Sequence, residues 1–381
     1  MVTALFQPLR IRSLVLKNRI VIAPMMQHAA PGGFANHWHL VHLGKFALGG
    51  AGLIITESTA VSPVGRIGKD DAGLWEDAHI QPWREVVDFV HQSGSAIGVQ
   101  LGHAGRKAGS KALWDGGQAL TPEQMLKEDP RWARIGPSPI PAGPGWSIPH
   151  AMSIAAIEKV IGEFESAARR SDAAGFDTVE LHFGHGYLVT SFLSPVSNKR
   201  TDEYGVNREG RMKLAVDLAS RVRAVWPKEK PLWCRLSVVD GAVDGWGEED
   251  TIQLVHRLQS VGVDVIDCSS GGLTEQTHAL PVARGLGFQV PFARRIKSET
   301  GVITQAVGMI IDAHQAEDIL TSGSADLVAI GREALFDPYW PLHAQWALQR
   351  DTGFADWHIR HKVWLEKRQT FLDSLSTQSD H

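Results

Sequence analysis

Short apolar runs recur along this chain, and after a turn each is followed by a longer stretch with helical spacing. The runs are RIVIAPM at Arg19–Met25, GLIITESTA at Gly52–Ala60, AIGVQLG at Ala96–Gly102 and TVELHF at Thr178–Phe183. LWCRLS at Leu232–Ser237, VIDCSSG at Val265–Gly271, VITQAVG at Val302–Gly308 and DLVAIG at Asp326–Gly331 complete the set. Strands that are apolar on both faces, with helices between them, predict a parallel sheet covered on its outer side. The stretch Ile154–Asp172 shows the helical half of the pattern: Ser153 stands at its start, its apolar spacing is near 3.6, and Ala173-Ala174-Gly175 forms a stop.

Units of this kind, closed with right-handed connections, give an α/β fold, the (β/α)8 or TIM barrel. No fixed-period identity competes with that reading. The barrel is expected to occupy residues 1–350, with Phe6–Lys17 as a hairpin closing its N-terminal end. Residues 351–381 form a tail with helical spacing of Trp357, Trp364, Phe371 and Leu375, predicted to pack on this subunit or on a neighbour. Two connections are too long for plain loops, His103–Met152 and Gly186–Arg208. Both follow a strand, so both belong to the C-terminal face, where this fold carries its extended loops and its active site.

Composition narrows the function classes. The chain has 381 residues, 43% of them hydrophobic and 21% charged, with a net charge of −4. That balance supplies a sizeable core but no electrostatic footprint for nucleic acid or an anionic membrane. The start, MVTALFQPLRIRS, lacks a secretory leader's apolar stretch, and no apolar run reaches spanning length, so a cytoplasmic protein is expected. Its two cysteines, Cys234 and Cys268, sit inside apolar runs and read as buried thiols, too few for a four-cysteine cluster.

Polar residues at the C-terminal ends of several strands carry the candidate chemistry. Gln100, His182 with His185 just beyond it, and Arg235 would converge on one face, and polar groups inside a barrel must find partners. Gly308 and Gly331 would let backbone N–H groups approach a phosphate at the barrel's usual phosphate position, with Arg332 supplying charge. Bland readings stand beside these: strand-end turns for the glycines, a core carboxylate partner for Arg235, mutual satisfaction for the histidines. A metal held by His182, His185 and Glu180 is a further alternative.

At this point the ordered motifs resemble the old yellow enzyme family of FMN-dependent ene-reductases, closest to its bacterial xenobiotic-reductase and thermophilic-type branch. Leu5–Met25, WHLVHLGKFALGGAGLIITESTAVSP, VQLGHAGRK, ELHFGHGYLVTSFLSPVSNKRTDEYG, AVGMI and DLVAIGREALFDPYW carry the resemblance over most of the chain. It implies non-covalent FMN, NADPH or NADH as reductant, a small-molecule substrate such as an activated alkene, and a homodimer or homotetramer. Ala23, Pro24, Met25, Met26 and Ala60 would line the flavin ring, Gln100 would bond its pyrimidine edge, and Gly308, Gly331 and Arg332 would take the phosphate. Arg235 would favour the reduced flavin as a fixed cation. His182 and His185 would polarise the acceptor oxygen of the substrate, and Tyr187 would protonate its α-carbon.

The chain also departs from that branch, whose members commonly carry cysteine at the position of Met26 and tyrosine at that of His28. Methionine has no proton to donate and narrows the pocket, and histidine titrates near neutrality. These two residues, as substrate-binding positions, keep alternative reactions open: dehydrogenation, nitro or nitrate-ester reduction, or oxidative demethylation. An FMN-binding sensor is a further reading. The HAGRK segment, His103–Lys107, is expected to act structurally, and Asp202 and Arg208 to hold their loop by local ion pairs.

Overall fold

The computed structural model describes residues 3–273, 284–348 and 353–379. Its strands are β1 Leu9–Ile11, β2 Leu14–Leu16, β3 Ile20–Ile22, β4 Leu53–Ala60, β5 Ala96–Gly102 and β6 Ile135–Gly136. They continue as β7 His150–Ala151, β8 Thr178–Phe183, β9 Leu232–Ser237, β10 Val265–Ser269, β11 Ile303–Val307 and β12 Leu327–Ile330. β3, β4, β5, β8, β9, β10, β11 and β12 form a closed barrel in that order, β12 returning to β3, and neighbouring strands run parallel.

Each strand divides its side chains between two apolar layers. Val21, Leu53, Trp233, Val265 and Leu327 fill the lumen. Ile20, Ile22, Ile54, Cys234, Ile266 and Val328 join the outer layer under the helices. Both cysteines are free and buried. Ile11 and Leu16, from β1 and β2, belong to the lumen cluster, so the N-terminal hairpin plugs the barrel's lower end. Its tip is held by Arg12, whose Nε lies 2.8 Å from Asp264.

The first predicted strand enters the ladder only over Ile20–Ile22, with Ala23 N donating to Ile330 O. Pro24 has no N–H to continue the ladder, which leaves Pro24–Met26 outside regular pairing at the barrel's upper rim. The predicted helix runs from Ile154 to Ala174: Ser153 Oγ accepts from Ala156 N at 3.2 Å, and Gly175 ends it at φ 95°. Between β4 and β5 the register shifts between Ile55 and Ser58, an irregularity of the kind that re-aims side chains at barrel rims.

The long connection after β5 is folded. It contains the helix Pro122–Glu128, capped by Thr121 and Gln124, and the paired strands β6 and β7. Buried Arg134 donates to the carbonyls of Gly109 and Leu120 and so ties its halves together. The tail helix spans Ile359–Ser379, and Trp357 just before it stacks on Tyr339 at 5.3 Å. Trp364 and Phe371 are 69% and 63% exposed. Among the described residues no helix is long and apolar enough to cross a membrane.

Candidate active site

Two hollows meet at the C-terminal face and share Pro24 and Arg235. The smaller, about 120 Å³, is lined by Met26, Ser58, Ile67, Gln100, His182, His185 and Tyr187 besides the shared pair. The larger, about 370 Å³, includes Ala23, Met25, Gln289, Gly308, Gly331 and Arg332 in its wall. Nearly every residue singled out from sequence therefore lies on one of two joined cavities. Ala60 does not: it is buried, and its backbone pairs with Ala72 and Leu74. Ser58, two residues earlier and opposite Gln100 in the β4–β5 register, lines the hollow instead.

Beneath the hollows the lumen turns polar. Gln100 Nε2 donates to Glu180 Oε1 at 2.7 Å, so one donor of this carboxamide is already engaged. Arg235 Nε lies 3.2 Å from Asp267 Oδ2, which makes the carboxylate-paired reading of Arg235 correct as far as it goes, although the guanidinium still reaches both hollows. Glu180 and Asp267 are fully buried. Burial, then the negative charge of Asp267, push the Glu180 carboxyl up to about 8, against the pull of Arg235 and the Gln100 hydrogen bond. Burial also raises Asp267.

His182 and His185 face each other with ring centroids 5.1 Å apart, and Tyr187 lies 5.2 Å from His182. Desolvation, with Arg235 nearby, lowers His182 to about 3 and holds His185 well below its ordinary value, so both rings are neutral. Ser269 Oγ stands 2.7 Å from His185 Nε2 and itself accepts from Gln289 Nε2 at 3.3 Å. A hydroxyl that accepts from Gln289 keeps its own proton free to donate to Nε2, the arrangement that matches an imidazole protonated on Nδ1. Burial raises the Tyr187 phenol above its usual value and keeps it protonated. Glu180 bonds Gln100 rather than these rings, and among the described residues no three His, Cys, Asp or Glu side chains group to hold a metal.

His185 adopts φ 59°, a left-handed conformation that a non-glycine residue holds only when its surroundings impose it. Its N–H donates to Ser237 Oγ at 2.8 Å, and its carbonyl accepts from Lys107 Nζ at 3.0 Å. Lys107 also binds the Gly272 carbonyl, and buried Arg106 donates to Leu273 O at 2.7 Å. The HAGRK segment thus clamps the turns after β8 and β10 together. Asp202 pairs locally with Arg200, whereas Arg208 reaches Asp250 on another helix.

On the larger hollow, Gly308 sits at φ 115°, and a Cβ there would stand 2.8 Å from Gln289 Oε1. Gly331 leaves room toward Met25, and exposed Arg332 follows at the wall. Small strand-end residues, a nearby guanidinium, and below them an amide and a second guanidinium form a donor set that suits a phosphate joined to a planar polar ring.

His28 opens onto a third hollow, about 740 Å³, with Lys111, Trp114 and Asp115 in its wall. Its Nδ1 lies 2.6 Å from Asp71 Oδ1, and Asp71 Oδ2 accepts from the N–H groups of Ile67 and Gly68. Burial alone would lower the imidazole, but the Asp71 hydrogen bond and charge, with Glu57 and Asp70, raise it above its ordinary value. Sequence reasoning missed Asp71, Ser269 and Gln289. The acid in GKDD and the serine following Cys268 carried no signal without their partners.

Comparison with known proteins shows the family. A profile of the NADH:flavin oxidoreductase / NADH oxidase family matches residues 4–351. An NADPH dehydrogenase of Geobacillus thermodenitrificans (strain NG80-2) is 42% identical over 345 residues, covering 90% of this chain and 94% of the relative. Morphinone reductase shares the fold at TM-score 0.77 with 25% identity, covering 91% of this chain and 90% of its own. A 2-naphthoyl-CoA reductase complex matches in fold at TM-score 0.80 and 22% identity, with 91% of this chain covering 52% of that larger one.

Proposed function

Because the chain belongs to the NADH:flavin oxidoreductase / NADH oxidase family, of old yellow enzyme type, we propose that it passes hydride from NAD(P)H by way of FMN to the β-carbon of an activated alkene. FMN-dependent NAD(P)H oxidation is the family's chemistry; the alkene is the added step. The observation that carries it is the neutral His182–His185 pair beside the protonated Tyr187 phenol in the smaller hollow.

The larger hollow would hold the ribityl phosphate against Gly308, Gly331 and Arg332. The ring would lie along Ala23–Met26, with Gln100 and Arg235 at its polar edge. Bound FMN supplies the hydride. Two neutral imidazoles can each donate one hydrogen bond to a carbonyl oxygen without carrying a charge of their own. Those bonds strengthen as the oxygen becomes enolate-like, which is where differential stabilisation arises. Tyr187, protonated at any working pH, would deliver the proton to the α-carbon.

A second reading keeps the flavin and changes the acceptor to a nitro compound or nitrate ester. The titratable His28, held by Asp71 on the third hollow, favours it. Anaerobic half-reactions separate the two. Reduced enzyme should be reoxidised by cyclohexenone, and Tyr187→Phe should slow that step while leaving reduction by NADPH unchanged. An enzyme reoxidised by nitro compounds but inert to enones would overturn the alkene assignment.

A further inference from the structure

The lumen below the proposed flavin site contains an imbalance of charge. Glu180 and Asp267 are both fully buried, and among the described residues the cation acting on both is the guanidinium of Arg235. The other described groups around them bring no compensating charge. Gln100 and Gln305 are amides, His182 is neutral, and the Cys234 and Cys268 thiols are held protonated by burial. Ionising both carboxyls would leave a net negative charge out of contact with water, and an uncompensated buried ion costs several kcal/mol, on the order of the protein's whole stability. One proton is therefore retained.

The contacts decide where it sits. Asp267 Oδ2 has Arg235 Nε at 3.2 Å, an ion pair by distance in which neither atom completes a hydrogen bond, and the Gln305 amide also acts on this carboxylate. Glu180 has only the Gln100 amide at Oε1, and its Oε2 is buried without a partner. We infer that Glu180 is a neutral carboxylic acid in the resting enzyme, and that its proton sets both the net charge around Arg235 and which end of the Gln100 carboxamide is left for the flavin.

When Glu180 is ionised, Gln100 must donate to it, leaving the amide oxygen for the ligand. When Glu180 is protonated, its O–H can donate to the amide oxygen after a half-turn of the carboxamide, leaving N–H groups for the ligand. Burial and the charge of Asp267, which raise Glu180 to about 8, agree with this assignment. Arg235 is then not a fixed cation but half of a pair whose surroundings titrate. Negative charge added above it on reduction raises the proton affinity of Glu180, so one further proton is taken from solvent per two electrons in the window just above the titration of this group.

The inference rests on Gln100 and Arg235 facing the flavin, and its test is independent of enone turnover. Infrared difference spectra of the holoenzyme across pH 6–10 should show a protonated carboxyl band in wild type that disappears at the alkaline end and is missing from Glu180→Gln. The FMN midpoint potential of wild type should fall with pH more steeply than that of Glu180→Gln. One proton per two electrons is tenfold in the equilibrium constant per pH unit, about 30 mV for a two-electron couple. Parallel potential lines in the two proteins, or no carboxyl band in wild type, would overturn it. If Glu180→Gln fails to take up FMN, the wild-type infrared titration decides alone. Loss of the ene-reductase reading would look different, with these pH responses intact and enones unreduced.

Discussion

Ser269 Oγ lies 2.7 Å from Nε2 of His185, a residue 84 positions earlier in the chain, and the hydroxyl is itself a hydrogen-bond acceptor for Gln289. If the serine donates to Nε2, this two-step relay leaves the His185 proton on Nδ1. Ser269→Ala should keep FMN and the fold but let the imidazole choose its proton. A lost hydrogen bond of about 1 kcal/mol corresponds to roughly five- to tenfold in kcat/KM. Nitrogen-15 spectra of His185 that show the same tautomer in both proteins would refute the relay.

The neutral histidine pair makes a second prediction. His182→Ala combined with His185→Ala should bind FMN yet lose binding of phenolic and enone ligands. In wild type, kcat/KM for an enone should show no histidine titration from this pair between about pH 5 and 9, because burial holds His182 near 3 and His185 well below its usual value. Unimpaired phenol binding by the double variant would exclude the oxyanion role.

The His28–Asp71 pair predicts a pH-dependent stability. The folded pKa of His28 is raised above 6.5. Its ionic contribution is therefore complete below about pH 6.5 and fades as pH climbs through the raised folded value. His28→Asn is a suitable probe, since asparagine tolerates the left-handed backbone found here at φ 48°. Its destabilisation, about 1–2 kcal/mol at pH 6, should shrink by pH 9. Thermal melts with a constant or growing difference toward alkaline pH would contradict the assignment.

Met26 lines the smaller hollow, where cysteine would open space and add a thiol proton. Met26→Cys should improve kcat/KM for bulkier alkenes by about tenfold, the scale of one or two methylenes in an apolar pocket. It should also shift the FMN midpoint potential. Identical substrate profiles and potentials for the two proteins would show that the position is tolerant.

The sequence by itself determined the barrel. Periodicity and strand length are local properties, and runs such as TVELHF and LWCRLS matched β8 and β9 residue for residue. It also singled out Gln100, His182, Arg235, Gly308 and Gly331, all of which line the two hollows, because in a closed parallel barrel the end of a strand is the rim. What only the tertiary structure decided is which groups stand beside them. Asp71 on His28, Asp267 on Arg235, Glu180 on Gln100 and Lys107 on the His185 carbonyl are partners from distant segments. Desolvation and charge depend on those neighbours. Along the chain Arg235 reads either as a fixed cation or as a partner of some core carboxylate; once β9 lies against β10, that carboxylate is Asp267.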